Sequence, residues 1–389
     1  MRFGGGVWAA LVVLGAFASP ARAAEGVPAA PPPAADGMAP AAAPVAEKPA
    51  PTPPARRWDW AVFPVVFYAP ETSLGFAGGA AIFEDTPMAP GAQQRRDDSI
   101  AMALQGTLRK QYQLSLSGVK FWDETRFQLT EDAALVSYPN AYWGVGNDAP
   151  ESANDPFTQS GVFSRVTVAR LVVEQLYVGA GLTTAWYDIT GNAAGGPVDD
   201  YLQSSPRSGP AVGIGPIIRR DTRDDALGAH RGSISSFAAT FFPRALGSYR
   251  YAFYELDHRS HFQLGSRTVL AMEAYGAWAP GQVPLAELPA LGGGSRLRGY
   301  FQGRYRDHLY LMGQLEARIR IVWRLSLAPF AAVGNVFSSP SAVTLENPKY
   351  AGGLSVRVNL KKERDLNVHL DVARSPISSG IYLNMGEAF

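Results

Sequence analysis

The 389-residue sequence has no cysteine, only five histidines and a formal net charge of +1. Without cysteine it can hold neither a disulfide framework nor a thiolate, whether as nucleophile or as metal ligand. Near neutrality leaves no electrostatic footprint for a nucleic acid, and that partner class is set aside. The histidines (His230, His258, His261, His308 and His369) are scattered, and no Gly-x-Ser-x-Gly elbow accompanies them. His258 and His261 are close in sequence, but residues three apart on a strand point to opposite faces. These absences predict no enzyme, no cofactor and no metal. Past the N-terminal region no stretch holds eighteen apolar residues, which rules out membrane-spanning helices.

The N-terminus carries the first positive signal. Arg2 precedes the apolar run Val7–Ala18, and Ala21-Arg22-Ala23 supplies a small-residue cleavage site. Charge, run and site in that order predict a cleaved signal peptide over 1–23, hence export. Residues 24–57 form an Ala/Pro-rich tract with too little apolar surface to offset the entropy of ordering, so a disordered linker is expected there. Residues 58–389 then form one domain of uniform texture.

That texture is alternation. Leu315, Ala317, Ile319, Ile321 and Trp323 oppose Glu316, Arg318 and Arg320; Val368, Leu370 and Val372 oppose Asn367, His369 and Asp371. Period two means strands with one apolar and one charged face. A soluble sandwich would bury the apolar face, whereas an outer-membrane barrel turns it to lipid. Three features favour the barrel. Patterned segments of about ten residues recur, as tilted spanning strands require. Short turns interleave with long polar connections (Asp85–Asp98, Pro139–Gln159, Gly191–Ser208). Trp122, Tyr138, Trp143, Trp186, Trp278 and Trp323 sit near strand ends, as an interfacial girdle would. The expected fold is all-β, a transmembrane antiparallel barrel of about 16 strands. Phe389 ends the alternating segment that carries Ile381, Leu383 and Met385, and is read as a C-terminal insertion signal.

Between the segments starting at Thr268 and His308 lies "GGGSRLRGYFQGRYRD", Gly292–Asp307. No lysine and no helix follow its glycines, so it is not a phosphate-binding loop. Its core resembles the conserved loop motif of the BamA-like proteins, the superfamily of outer-membrane assembly factors and translocators that includes bacterial surface antigens. The motif is Arg-Gly-aromatic, matched by Arg298, Gly299 and Tyr300. Asp221, Arg223, Asp224 and Gly232 resemble the family's Asp-x-Arg-Asp segment and the turn that follows it. Glu316 matches the glutamate on the strand after the loop, and Phe63–Phe83 looks like the first hairpin.

The resemblance implies a loop folded into the lumen, with a structural or gating role for its arginine, and a seam between first and last strands. The family's POTRA domains find no counterpart; the Ala/Pro tract stands in their place. Ala332 occupies the position where the family usually carries an aspartate for the loop arginine, so Glu316 and Asp371 become candidate partners of Arg298. The implied work is outer-membrane protein or lipid assembly or transport. A passive or gated pore and a barrel lipid hydrolase stand as alternatives. Expected partners are outer-membrane lipid, the barrel-insertion machinery during biogenesis and a protein or lipid substrate, around a monomeric barrel.

Overall fold

The computed structural model describes residues 57–85, 98–123, 125–224, 228–361, 366–385, 387 and 389. The expected signal peptide and nearly all of the expected linker lie outside the described residues; the first strand begins at Arg57, one residue inside the linker assignment.

The alternation becomes sixteen wall strands. They are β1 (Arg57–Ala69), β2 (Ser73–Asp85), β3 (Asp98–Thr107), β4 (Tyr112–Trp122), β5 (Phe127–Tyr142), β6 (Asp155–Val173), β7 (Leu176–Thr190) and β8 (Ser208–Asp221). There follow β9 (Gly232–Phe242), β10 (Arg250–Gln263), β11 (Thr268–Trp278), β12 (Leu309–Val322), β13 (Leu325–Phe337), β14 (Lys349–Lys361), β15 (Leu366–Arg374) and β16 (Ser379–Met385). Each pairs antiparallel with its sequence neighbours. β1 pairs in turn with β16, which closes the sheet on itself. The closure is narrow: β1 and β2 are in register from Arg57↔Asp85 to Ala69↔Ser73, whereas β1 and β16 share only Tyr68↔Leu383.

The apolar rows face outward. Ile100, Met102, Leu104, Leu182, Trp186, Ile214, Leu256, Val356 and Ile381 are all exposed, and their inward neighbours are polar or small. An exposed apolar belt around a closed sheet is the lipid face of a membrane barrel, and the soluble sandwich is excluded. The expected girdle needs correcting at two residues. Trp323 is 77 % exposed, but Trp143 is buried. Trp143 lies beyond the end of β5, with its ring against Phe301 and Arg304. Tyr138 shares the inward face of β5 with buried Ala134 and Tyr142.

Turns at one end are short (174–175, 264–267 and 323–324), while 143–154, 191–207, 279–308 and 338–348 crowd the other. The long end is therefore the outer one. The Asp85–Asp98 connection corrects the expectation that long connections share that end. Strands alternate in direction, so the one after β2 emerges beside the start of β1, at the short-turn end. Inside the outer half of the barrel the long connections make a core. Tyr142, Phe163, Tyr187, Val198, Tyr251 and Leu285 pack together, and a second cluster joins Leu291, Leu297, Tyr300 and Tyr305 to Tyr310, Ala332 and Val336.

Candidate functional site: the lumen loop

Residues 279–308 leave β11, turn into the barrel and return to β12. A two-residue ribbon, Ala290–Leu291 against Tyr305–Arg306, forms their stem. The glycines serve the descent. Gly299 sits at φ +111, and a Cβ there would meet the Arg374 carbonyl carbon at 3.1 Å, so the tip backbone lies against the wall where only glycine fits. That contact is hydrogen-bonded: the Gly299 N–H donates to the Tyr382 hydroxyl at 2.9 Å, and its carbonyl accepts from Ser375 Oγ at 3.2 Å.

Arg298 is 1 % exposed. Its Nη1 donates to Asp371 at 2.6 Å and its Nη2 to Glu316 at 3.1 Å, and the guanidinium stacks 3.5 Å from the Phe330 ring centre. Both candidate carboxylates meet the arginine together, one from β15 and one from β12. Ala332 takes no part in the pairing; it packs in the apolar cluster with Leu297. Two carboxylates on one buried fork compensate the charge that burial would otherwise penalise. Glu316 is a hub, accepting also from Arg318 at 2.9 Å and from Arg357. Asp371 accepts from or shares a proton with His369 at 2.8 Å. Tyr300 is buried, its ring edge-on to Tyr305 at 6.1 Å.

A second ionic cluster escaped the sequence reading. Arg296 Nη2 lies 2.9 Å from Asp257 and 3.0 Å from Glu273, and its guanidinium stacks 3.3 Å over Tyr275. Burial opposes its charge, but Glu273, Tyr275 and Asp257 outweigh that and hold Arg296 protonated beyond the usual guanidinium range. The available signal was the inward parity of Asp257 and Glu273 on neighbouring strands. Tyr382 was equally invisible as the acceptor of the loop tip.

The remaining candidates sit elsewhere. Asp221 pairs with Arg223 at 2.9 Å and with Arg219 at 3.7 Å, and Asp224 accepts the backbone N–H groups of His230 and Arg231. With Gly232 at φ +90 they organise the short-turn end after β8 and do not reach the loop tip. Phe389 does not extend β16, which ends at Met385. It is buried, with Arg318 5.7 Å from its ring centre and donating to its carbonyl at 2.9 Å. Glu387 joins the same floor, accepting from Arg357, Arg318 and Asn367.

One carboxylate near the seam is unsatisfied. Glu71, in the turn between β1 and β2, is 2 % exposed, and neither its carboxylate oxygens nor the Tyr138 hydroxyl finds a partner among the described residues. Gln111 binds the Glu71 and Pro139 carbonyls instead. Burial pushes the Glu71 carboxyl up from 4.5 to about 7, with Arg109 opposing. A carboxyl raised on folding adds stability that is complete below about 4.5 and lost as pH rises through about 7. Glu71→Gln should flatten that slope and leave the barrel roughly 3 kcal/mol more resistant to heat at pH 8. Parallel pH profiles of parent and variant on heat-modifiability gels would refute this.

The comparisons can now be set beside this geometry. The sequence profile of the Omp85 superfamily domain matches residues 98–387. The chain belongs to the Omp85 superfamily. Comparison with curated protein sequences returns no match. Among solved structures the Omp85 barrel is similar to BamA from Haemophilus ducreyi lacking POTRA domains 1–3, at 12% identity and TM-score 0.60, over 85% of this chain and 70% of that one. It is also similar to CdiB from Acinetobacter baumannii (12%, TM-score 0.55, 85% and 66%) and to CdiB from Escherichia coli (11%, TM-score 0.53, 85% and 63%). At these identities the likeness is one of fold. Membership and the lipid-facing belt together make this an Omp85 barrel of the bacterial outer membrane, in the class of assembly and translocation barrels.

Proposed function

We propose that this Omp85 barrel assists a polypeptide or lipid into or across the outer membrane by opening the seam between β1 and β16, with the lumen loop holding the closed state. The observation that carries the reading is the placement of Tyr382. It accepts the loop tip at Gly299 and sits next to Leu383, the residue paired with β1. Undocking of the tip is thereby felt at the weakest pairing in the wall. The wall and loop work without covalent chemistry. Among the described residues the nearest approach to a nucleophile pair is Ser235 Oγ, 2.7 Å from His258 Nδ1 on the lipid face. The other His258 nitrogen meets Ser260 Oγ rather than a carboxylate, which speaks against the lipid-hydrolase alternative.

The absence of native cysteine makes the test clean. Tyr68→Cys with Leu383→Cys should crosslink the seam. Oxidised protein in proteoliposomes should lose insertion of an unfolded small barrel client or translocation of a passenger, and reductant should restore it. Full activity in the crosslinked state would sink the seam as the working element.

A further inference from the structure

The stem of the lumen loop carries two guanidinium groups without a counter-charge. Arg304 immediately precedes the stem strand Tyr305–Arg306, which Arg306 closes, and the two arginines are only 7 % and 5 % exposed. The segment after β5 packs there. Val145 bridges to Arg306, the Gly146 N–H donates to the Arg306 carbonyl at 2.8 Å, and Arg304 Nη2 donates to the Ala149 carbonyl at 2.8 Å. Arg306 Nη1 donates to the Leu285 carbonyl at 3.3 Å.

Beyond those bonds, Arg304 Nη1, Arg306 Nε, Trp143 Nε1 and the Tyr142 hydroxyl are buried with no acceptor among the described residues. Arg304 lies 5.2 Å from the Trp143 ring centre and 4.4 Å from that of Tyr305. Neither arginine has an ion pair within 4.0 Å among the described residues. Asp307, the adjacent acid, turns its carboxylate to the His308 N–H at 2.8 Å. Asp307 and Asp200 both act on the Tyr142 side, and Asp148 acts on Lys349, whose ammonium sits 4.6 Å from the Tyr305 ring centre. Burial lowers the Arg306 pKa below the usual guanidinium range.

Burying one guanidinium without an anion is costly, and two within three residues of one loop stem are more so. Water can satisfy a donor, but it does not neutralise the charge. The planar forks and the indole present donors only, and the phenol O–H can donate as well. We propose that Arg304, Arg306, Tyr142 and Trp143 form a binding site for a small inorganic anion, phosphate or chloride, that pins the loop stem to the segment after β5. The site stands whether or not the seam opens. It makes the hold of the plug depend on the anion in the medium.

The test uses the full chain, refolded in detergent. Its unfolding temperature is followed on heat-modifiability gels while phosphate or chloride replaces gluconate at constant ionic strength. A saturable rise of roughly 2–4 °C is expected, absent in R304Q/R306Q and reduced in R306Q. A response to phosphate alone identifies an oxyanion site, and a response to chloride a halide site. Should the double variant fail to fold, line broadening of the chloride resonance by the parent protein, reversed by phosphate, carries the same proposal. A flat titration without such broadening overturns it, as does an equal rise in parent and R306Q.

Discussion

Glu316→Ala is expected to destabilise the barrel more than Arg298→Ala, although Arg298 belongs to the recognisable motif. Glu316 is fully buried and answers three guanidinium groups: Arg298 at 3.1 Å, Arg318 at 2.9 Å and Arg357. Removing it leaves those arginines facing one another with only Asp371 and Glu387 to share. Breaking one buried pair costs about 3–5 kcal/mol, mostly through the charge left behind. Arg298→Ala leaves less stranded, because Glu316 keeps two partners and Asp371 keeps His369 at 2.8 Å. We expect about 3 kcal/mol for Arg298→Ala and at least 5 for Glu316→Ala, read as the order of unfolding temperatures on heat-modifiability gels. Arg298→Lys should recover little, since one ammonium cannot span two carboxylates on different strands and lie flat on Phe330. The reverse order of the two alanine variants would show that Glu316 is no hub.

Excising 293–302, with the stem ribbon kept, should turn a barrel with little conductance into one with large, steady openings in planar bilayers. The loop carries Leu297, Arg298 and Tyr300 into the lumen, all buried among wall side chains. The excision also strands Asp257 and Glu273, which lose Arg296 but keep Arg259 at 2.7 and 3.5 Å. The variant should therefore fold, at lower stability. Large openings already present in the parent would return the passive-pore alternative to first place.

Much of the wall was legible because lipid outside and ionic contacts inside force a strict two-residue period. The strands flanking the loop begin at Thr268 and Leu309, within one residue of the segment starts Thr268 and His308, whereas the alternation does not mark where β1 and β6 begin. Those two strands run past the belt, where the pattern fades: Asp155-Pro156 opens β6 without alternation. The same blindness placed Trp143 and Tyr138 in the girdle, since nearness to a strand end does not say which way a ring turns. Inside the lumen, parity marks Glu316 and Asp371 as inward. It does not say that a residue 73 positions away will dock between them. Arg296 was overlooked for that reason: its partners Asp257 and Glu273 are brought together only by the tilt and register of β10 and β11.

Closure around the loop has a kinetic side. The tip of the loop is gripped by Asp371 of β15, Ser375 of the turn that follows and Tyr382 of β16, which come late in the chain. The strand that finishes the wall is thus also the one that must enclose an already inserted loop. Such distant pairings form late, because the entropy of joining them is lost before the contacts repay it. A change at Gly299 or Tyr382 should then act mainly on the rate of reaching the closed barrel where docking belongs to the rate-limiting step, and on the rate of leaving it where docking follows.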